Sequence, residues 1–252
     1  MKPIYIVTIT DGNINSLELT LSSIDKQNVN NYKNFIVSKK RLKNLNNKFK
    51  TKKRIFIYKK DSSIYEAMNS GLKRSANNIV IFLNAGDIFF SKSSLNTIFK
   101  YSKMYNYKTC LMFISVLKHN EDYFVPKKKN FFSSNFLTHS SFIRPPERKD
   151  PGFNITNKIT ADGEWMANNV KKFNIKKFYF PVTIFSLGGI SNLPSCKSLM
   201  MKVNNGVIVL LKEFLKFILL KIVGVNLFYK IIYYFKYKRI NFDQIYKFHK
   251  EN

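Results

Sequence analysis

Apolar positions along this chain change period repeatedly, and each change predicts a new element. Ile4 to Thr10 alternates and is rich in β-branched residues, which predicts a first strand. After a polar turn at residues 11–15, Leu17, Leu21 and Ile24, running to Gln27, predict a helix. Phe35 to Val37 and Ile55 to Tyr58 predict strands two and three. Ile64, Ala67/Met68, Gly71/Leu72 and Ser75/Ala76 then recur at i, i+3/i+4 and i+7, one face of a helix. Asn77-Asn78 breaks that pattern, and Ile79 to Leu83 is a short β-branched run suited to a strand buried on both faces.

The run ends in Asn84-Ala85-Gly86-Asp87. An aspartate reached through a glycine turn at the carboxyl end of a buried strand sits where open α/β sheets bind ligands. Asn, Gly and Asp are equally ordinary strand-ending turn formers, so spacing alone leaves both readings open. Further on, Leu95 to Met104 predicts a helix and Cys110 to Leu117 a strand, while Lys118 to Asn130 is polar and basic and predicts a surface connection. Asp162 is placed as the N-cap of a helix running to about Val170. Phe178 to Phe185 predicts a strand pair interrupted by Pro181. Strands alternating with helices predict an α/β domain whose sheet is of the doubly wound, nucleotide-binding kind.

From Val207 to Phe235 the chain is apolar with scattered lysines, and its charge-free runs are well short of the roughly 18 residues a membrane span needs. Helical phase gathers Lys212, Glu213, Lys216 and Lys230 on one side, with Lys221 and Lys236 off it. Such a basic, aromatic-rich helix pair predicts a segment lying in a bilayer interface, against the alternatives of a helical lid or a dimer contact. The expected organisation is a domain over residues 1–200 and a basic helical extension over 201–252.

Composition narrows the class. At 252 residues and 45% apolar content, with 24 Phe and 14 Tyr, the chain can bury a substantial core, which excludes global disorder. Cys110 and Cys196 have no metal-ligand spacing and make no disulfide framework, as expected of a reduced compartment. The apolar run Ile4 to Ile9 is too short for a signal peptide and is expected to be a strand. The charge stands out: 43 basic against 15 acidic residues gives +28, a field that attracts nucleic acid, anionic lipid or phosphorylated substrates. Asn, Lys, Ile and Phe are abundant together, as a strongly AT-rich coding sequence would produce, so part of this charge needs no functional cause. No helix-turn-helix, zinc or aromatic RNA-binding signature accompanies it, so no specific nucleic-acid partner is expected. Between Lys39 and Lys60 there are eleven Lys or Arg and no acid. That run is either a solvated loop or a basic wall beside a sugar-nucleotide diphosphate or an anionic membrane.

One stretch carries a resemblance. Asp61-x-x-Ile64-Tyr65-Glu66-Ala67-Met68-Asn69-x-Gly71, followed after a strand by Phe82-Leu83-Asn84-Ala85-Gly86-Asp87, resembles family 2 glycosyltransferases. It is closest to the branch that builds colanic acid, O-antigen and capsule-type bacterial surface polysaccharides. That branch reads D-x-G-I-Y-D-A-M-N-K-G and then F-L-N-A-G-D; here Ser63 replaces Gly, Glu66 replaces Asp and Ser70 replaces Lys. Leu17, Thr20, Leu21, Ser23, Ile24 and Gln27 match the opening block, although Asp11-Gly12 stands where the family has Tyr-Asn. After strand two the family has D-G-x-S-x-D, whose first Asp holds uracil or ribose; this chain has Ser38-Lys39-Lys40-Arg41. Phe136 to Ile143 resembles the family's I-x-H-Q-S/A-x-F-I block, with Ser140 for Gln. Pro151-Gly152-Phe153, Ala161-Asp162-Gly163-Glu164-Trp165 and Leu187-Gly188-Gly189-Ile190-Ser191 match later blocks, so the likeness spans residues 4 to 192.

The resemblance implies a GT-A type mixed sheet, flanked by helices, with a nucleotide-binding half. It implies an inverting glycosyltransferase using a nucleotide-diphosphate sugar, UDP-linked in most of the family, with a lipid-linked saccharide acceptor. Asp87 would hold Mn²⁺ or Mg²⁺, and Asp162 would be the general base, with Glu164 as second choice. Thr8, Thr10, Asp11, Asp61, Asn69 and Asn84 would lie on the nucleotide-sugar side. His139, Gly188 and Gly189 would lie on the acceptor or diphosphate side. Localisation would be peripheral, on the inner face of the cytoplasmic membrane. Two rivals stand beside this reading: a glycosyltransferase-like scaffold without turnover, and a basic nucleic-acid-binding protein.

Overall fold

β1 (Ile4–Thr10) is apolar towards both faces, and it forms the middle of a parallel sheet of order β3-β2-β1-β4, with β2 (Tyr32–Ser38), β3 (Arg54–Tyr58) and β4 (Ile79–Phe82). The computed structural model describes residues 2–42, 48–60, 63–133, 138–157, 160–187, 194, 199, 207–234 and 236–240. On one face of the sheet Ile4 and Ile6 pack with Leu17, Leu21 and Ile24 of α1 (Ile14–Asp25) and with Leu95 and Ile98 of α3 (Ser94–Met104). On the other, Val7 and Ile9 meet Tyr65, Met68 and Leu72 of α2 (Ile64–Arg74) and Trp165 of α5 (Ala161–Phe173). Helices thus cover both faces, the usual condition for a parallel sheet.

Ala67, Met68, Gly71, Leu72 and Ser75 are buried as expected, and the buried face of α2 departs from the expected one only in its first turn. Ile64 is 47% exposed and Tyr65 is buried, stacked on Phe153 with ring centroids 5.8 Å apart. A capping box sets the helix start: Ser63 accepts from Glu66 N–H at 3.2 Å while the Glu66 carboxylate accepts from Ser63 N–H at 2.6 Å. Gly71 lets α2 approach β1. A Cβ there would lie 2.3, 3.1 and 3.3 Å from Val7 Cγ1, Cγ2 and Cβ, so Val7 or the helix would have to shift. Gly71→Ala should therefore cost about 1–3 kcal/mol of stability, read as a lowered denaturation midpoint at unchanged slope. Adding Val7→Ala should return part of it.

A second, larger sheet is built around β6 (Cys110–His119), in the order β10 (Tyr237–Ile240), β7 (Asp122–Pro126), β6, β9 (Ile175–Ser186), β5 (Ile88–Phe89), with β8 (Phe142–Ile143) also paired to β6. The two sheets are joined where Val80 and Arg144 exchange backbone hydrogen bonds at 3.0 Å. Two expectations are corrected here. The segment 118–130 is not a surface connection: β7 (Asp122–Pro126) forms a hairpin with β6 and buries Tyr123, Phe124 and Val125. The short apolar triplet between Asp122 and Pro126 was too brief for periodicity to register. Nor is 178–185 a strand pair: β9 (Ile175–Ser186) is one strand parallel to β6, and Pro181 lies opposite Ile114 where the register shifts. A residue with no N–H is accommodated at such an irregularity rather than ending the strand.

A short helix α4 (Lys128–Ser133) follows β7, and α6 (Val207–Tyr234) is broken at Gly224, whose φ of 72° lies in the left-handed region. Beyond the break Phe228 and Tyr229 are buried against Leu117 and Phe124, and β10 (Tyr237–Ile240) pairs antiparallel with β7. The expected C-terminal extension therefore supplies a strand to the larger sheet.

Candidate active site

Strand order locates the site before any side chain is considered. β1 leads through α1 to β2 and β3 on one side, whereas β4 lies on the other side of β1. The carboxyl ends of β1 and β4 thus form a topological switch point, where the crevice of an open α/β sheet opens. Asn84-Ala85-Gly86-Asp87 occupies that point. Ala85 N–H donates to Ile9 O at 2.9 Å and Gly86 N–H to Ser16 O at 3.1 Å, while Gly86 takes the positive φ of 101° that the turn requires. Thr20 laces the turn to α1. Its hydroxyl donates to Asp87 O at 2.7 Å and accepts from Gly86 N–H at 2.9 Å.

Asp87 ends up 3% exposed. Its Oδ1 accepts from Ser186 N–H at 3.0 Å, and its Oδ2 is buried with no hydrogen-bond partner in the described structure, 3.8 Å from His139 Nε2. Burial pushes the Asp87 carboxyl up to about 7, against the lowering pull of His139 and the Ser186 and Asn84 backbone N–H groups.

His139 opens a 3₁₀ turn (His139–Ser141) between the two carboxylates. Its Nδ1 is 3.5 Å from Asp162 Oδ2, and its Nε2 is 3.0 Å from Asn84 Nδ2. As placed, Asn84 donates to an unprotonated Nε2, which leaves the ring proton on Nδ1 facing Asp162. With the amide turned over, Asn84 Oδ1, otherwise buried without a partner, would accept from the imidazolium. Burial lowers the imidazole, but the Asp162 hydrogen bond and the charges of Asp87 and Asp162 outweigh it and hold His139 above its ordinary value. Behind the turn lies a hydroxyl cluster. Thr138 donates to Ser115 at 2.6 Å, and Ser115 is 3.1 Å from Ser140 and 2.7 Å from Thr183.

Asp162 lies in the first turn of α5 rather than at its N-cap, which is Thr160. The side chain is 31% exposed, with Oδ1 accepting from Gly163 N–H at 3.0 Å and from the Tyr65 hydroxyl at 3.3 Å. Burial raises the carboxyl, yet His139, Gly163 N–H and the Tyr65 hydroxyl together hold it below the usual carboxylate range. It is therefore ionised at neutral pH and open to solvent on one side. Glu164 is exposed and accepts from Asn157 Nδ2 at 3.3 Å, away from His139. Helix α5 is held in place by Trp165, whose ring is edge-on to Phe82 at 5.5 Å and stacked on Phe153 at 4.8 Å. Its indole N–H donates to Asp150 Oδ1 at 3.0 Å, and Asp150 in turn pairs with the buried Arg144 at 3.1 Å.

Other expected site residues fall elsewhere. Thr8 is fully buried, and its hydroxyl accepts from Asn34 Nδ2 at 3.0 Å, inside a chain that continues through Arg54 to Asp25. It ties β1 to β2 and does not face the crevice. Arg54 of the basic run is likewise buried and belongs to this network. Thr10 accepts from Gly12 N–H at 3.0 Å and Asp11 from Asn13 N–H at 2.9 Å, so both build the turn into α1. Asn69 spends both amide atoms on Phe153: Nδ2 donates to its O at 2.9 Å and Oδ1 accepts from its N–H at 2.7 Å. It clasps the 150–153 loop. Asp61, Gly188 and Gly189 lie outside the described residues. Tyr65, Ser186 and Thr20 are the site contacts that were not expected. The tyrosine and the threonine stand in the motif strings, but nothing in a string shows what they touch.

Next to the turn after β1, a cavity of about 280 Å³ opens at the carboxyl ends of β2 and β3. Ile36, Phe56 and Tyr58 form its apolar walls, with Ser38, Lys40 and Arg41 as its polar members. The Arg41 guanidinium lies 5.2 Å over the Tyr58 ring, and the Lys40 side chain reaches Gly12 closely enough that a Cβ there would sit 2.7 Å from Lys40 Cδ.

No protein-family model matches the chain, and no curated protein sequence matches it. Solved structures do. Residues 1–349 of TarS from S. aureus in complex with UDP superpose with a TM-score of 0.62 at 12% identity, over 74% of this chain and 61% of that one. The fold is that of the GT-A glycosyltransferases. The same TarS fragment in complex with UDP-GlcNAc gives 0.58 at 13% identity, over 75% of this chain and 60% of that one. Mannosyltransferase PcManGT from Pyrobaculum calidifontis, in complex with GDP-Man and Mn²⁺, gives 0.57 at 10% identity, over 76% and 59%. The chain spans about 60% of the length of these structures, and 37% of a longer TarS structure.

Proposed function

We propose that this chain is an inverting glycosyltransferase that moves a hexose from a nucleotide-diphosphate sugar to a lipid-linked saccharide in bacterial surface polysaccharide synthesis of the O-antigen or capsule kind. The observation that carries the reading is the convergence of Asp87, His139 and Asp162, from three distant parts of the chain, at one switch-point crevice. The structural neighbours support the donor class, since they hold UDP, UDP-GlcNAc and GDP-Man. The cavity beside the crevice suits a base and ribose, and UDP is the nucleotide the sequence resemblance favours.

In the proposed reaction the acceptor hydroxyl oxygen attacks the anomeric carbon from the face opposite the diphosphate. The anomeric C–O bond breaks, its electron pair leaves with the nucleoside diphosphate, and the hydroxyl proton passes to Asp162. The lowered Asp162 carboxyl is free of protons at neutral pH, and Tyr65 and Gly163 N–H fix its orientation. His139 joins the two carboxylates, so that the proton-accepting side and the diphosphate side are held in one frame. Asp87 fits a divalent ion, because Oδ2 is a buried oxygen without a partner and carboxylate suits Mn²⁺ or Mg²⁺. Among the described residues no group of three potential ligands surrounds it, so diphosphate oxygens and water would complete the coordination. Such an ion would supply charge stabilisation to the leaving diphosphate.

Residues 1–200 would carry the transfer unit and 201–252 the appended segment, at the inner face of the cytoplasmic membrane. A second reading, a glycosyltransferase-like binding subunit, has one observation in its favour: Ser38, Lys40 and Arg41 line the cavity, in the run that stands where the family has D-G-x-S-x-D. One experiment separates the two. Nucleotide sugars are offered singly, with Mn²⁺ or with chelator, and bound ligand and released nucleotide are measured. Metal-dependent nucleotide release from one donor is expected. Absence of binding to every donor under every metal, with lipid extract supplied as acceptor, would leave the binding-subunit reading standing.

A further inference from the structure

The first half of α6, up to the break at Gly224, presents the reverse of an ordinary surface helix. Leu211, Phe214, Leu215, Ile218 and Ile222 recur at helical spacing and are all exposed, Leu215 by 57% and Ile222 by 75%. At 100° per residue they fall within about one third of the helix circumference. The opposite side packs Leu219, Leu220 and Val223 against the Phe228 and Tyr229 cluster and holds a Glu213–Lys216 ion pair at 2.7 Å. Of the residues that helical phase gathers on one side, Lys216 pairs with Glu213, while Lys212, and Lys221 off that side, stand exposed on either flank of the apolar stripe. No carboxylate among the described residues pairs with Lys212 or Lys221.

We propose that this stripe and its two flanking lysines dock on the surface of an anionic lipid bilayer. The proposal rests on surface chemistry and does not depend on the transfer reaction. A contiguous exposed apolar row on a monomer marks a contact surface, and the flanking charge decides which kind. With a formal +28 on the chain, a second copy would bring like charges together across any shared face, whereas an anionic headgroup layer neutralises them. No described helix is long and apolar enough to cross a membrane, so the contact is one of lying on the surface. The lysines would then engage headgroups while the stripe enters the acyl boundary. Beyond Gly224, Phe228 and Tyr229 are buried against Leu117 and Phe124 of the larger sheet, which anchors the docking half to the body of the protein.

The test is co-sedimentation of the full chain with phosphatidylcholine vesicles, with and without phosphatidylglycerol, in chelator and without nucleotide. Asp162→Asn, which would only impair transfer, should bind like wild type, so failure of docking and failure of the glycosyltransferase reading are distinguishable. Sedimentation with the phosphatidylglycerol vesicles is expected, weakening as salt rises. Lys212→Gln and Lys221→Gln should each lower the partition about fivefold. Leu215→Glu/Ile222→Glu should lower it about a hundredfold with an unchanged melting temperature, since both side chains are exposed. Three results would overturn the proposal. The first is equal binding to neutral and anionic vesicles, or none to either. The second is binding that survives the double variant. The third is a wild-type dimer that the double variant converts to monomer, which would assign the stripe to a second copy.

Discussion

Asp162→Asn is expected to slow transfer to acceptor by about 10²–10⁴-fold while nucleotide-sugar affinity stays within severalfold of wild type. The substitution keeps the size of the side chain and an acceptor oxygen for Gly163 N–H and the Tyr65 hydroxyl, so the start of α5 has no reason to shift. In the proposed reaction, what it removes is the place for the proton. The expected split is therefore a fall in the turnover rate with little change in donor binding, and donor titration against single-turnover transfer reads it directly. Glu164→Gln supplies the comparison. That carboxylate is exposed and bonded to Asn157, so transfer should remain close to wild type. Equal losses from both substitutions would remove the assignment of Asp162 as proton acceptor.

The choice between Asp162 and Glu164 shows where sequence reasoning stops. Two positions apart on a helix, they differ by about 200° in direction, so only one can face a given crevice. Which one depends on how α5 is rolled, and Trp165 decides that by entering the Phe82–Phe153 cluster and donating to Asp150. The turn at Asn84–Asp87 was legible because a β-branched run of strand length ends there in turn formers. Thr8 could have been set aside from alternation alone, since period two places it on the side of Ile4 and Ile6. Asn69 could not: its partner is the backbone of Phe153, 84 residues away. The hairpin at 118–126 and the outward stripe of α6 likewise depend on what packs beside them, which local pattern does not carry.

Asp87→Asn is expected to separate function from stability in opposite directions. In the proposed reaction the carboxylate meets the cation and diphosphate charge, so its neutralisation should lower metal-dependent transfer by about 10²–10³-fold. In metal-free buffer the same change should stabilise the fold at pH 8. The sign follows from linkage. An unfolded aspartate ionises near 3.8, whereas burial raises this one to about 7 in the folded chain. Between those values the folded state holds the proton more tightly, so stability falls as pH rises from about 4 to about 7. Above 7 the whole cost of the buried charge is present, and asparagine removes it while its amide oxygen still accepts from Ser186 N–H. The gain is limited by the loss of the favourable interaction between Asp87 and His139. Melting temperatures in chelator at pH 5 and pH 8 should therefore show a smaller advantage for the variant at the lower pH, where the fall has only begun, than at the upper, where it is complete. Unchanged metal-dependent transfer would refute the ligand assignment, and a variant less stable than wild type at pH 8 would refute the buried-charge argument.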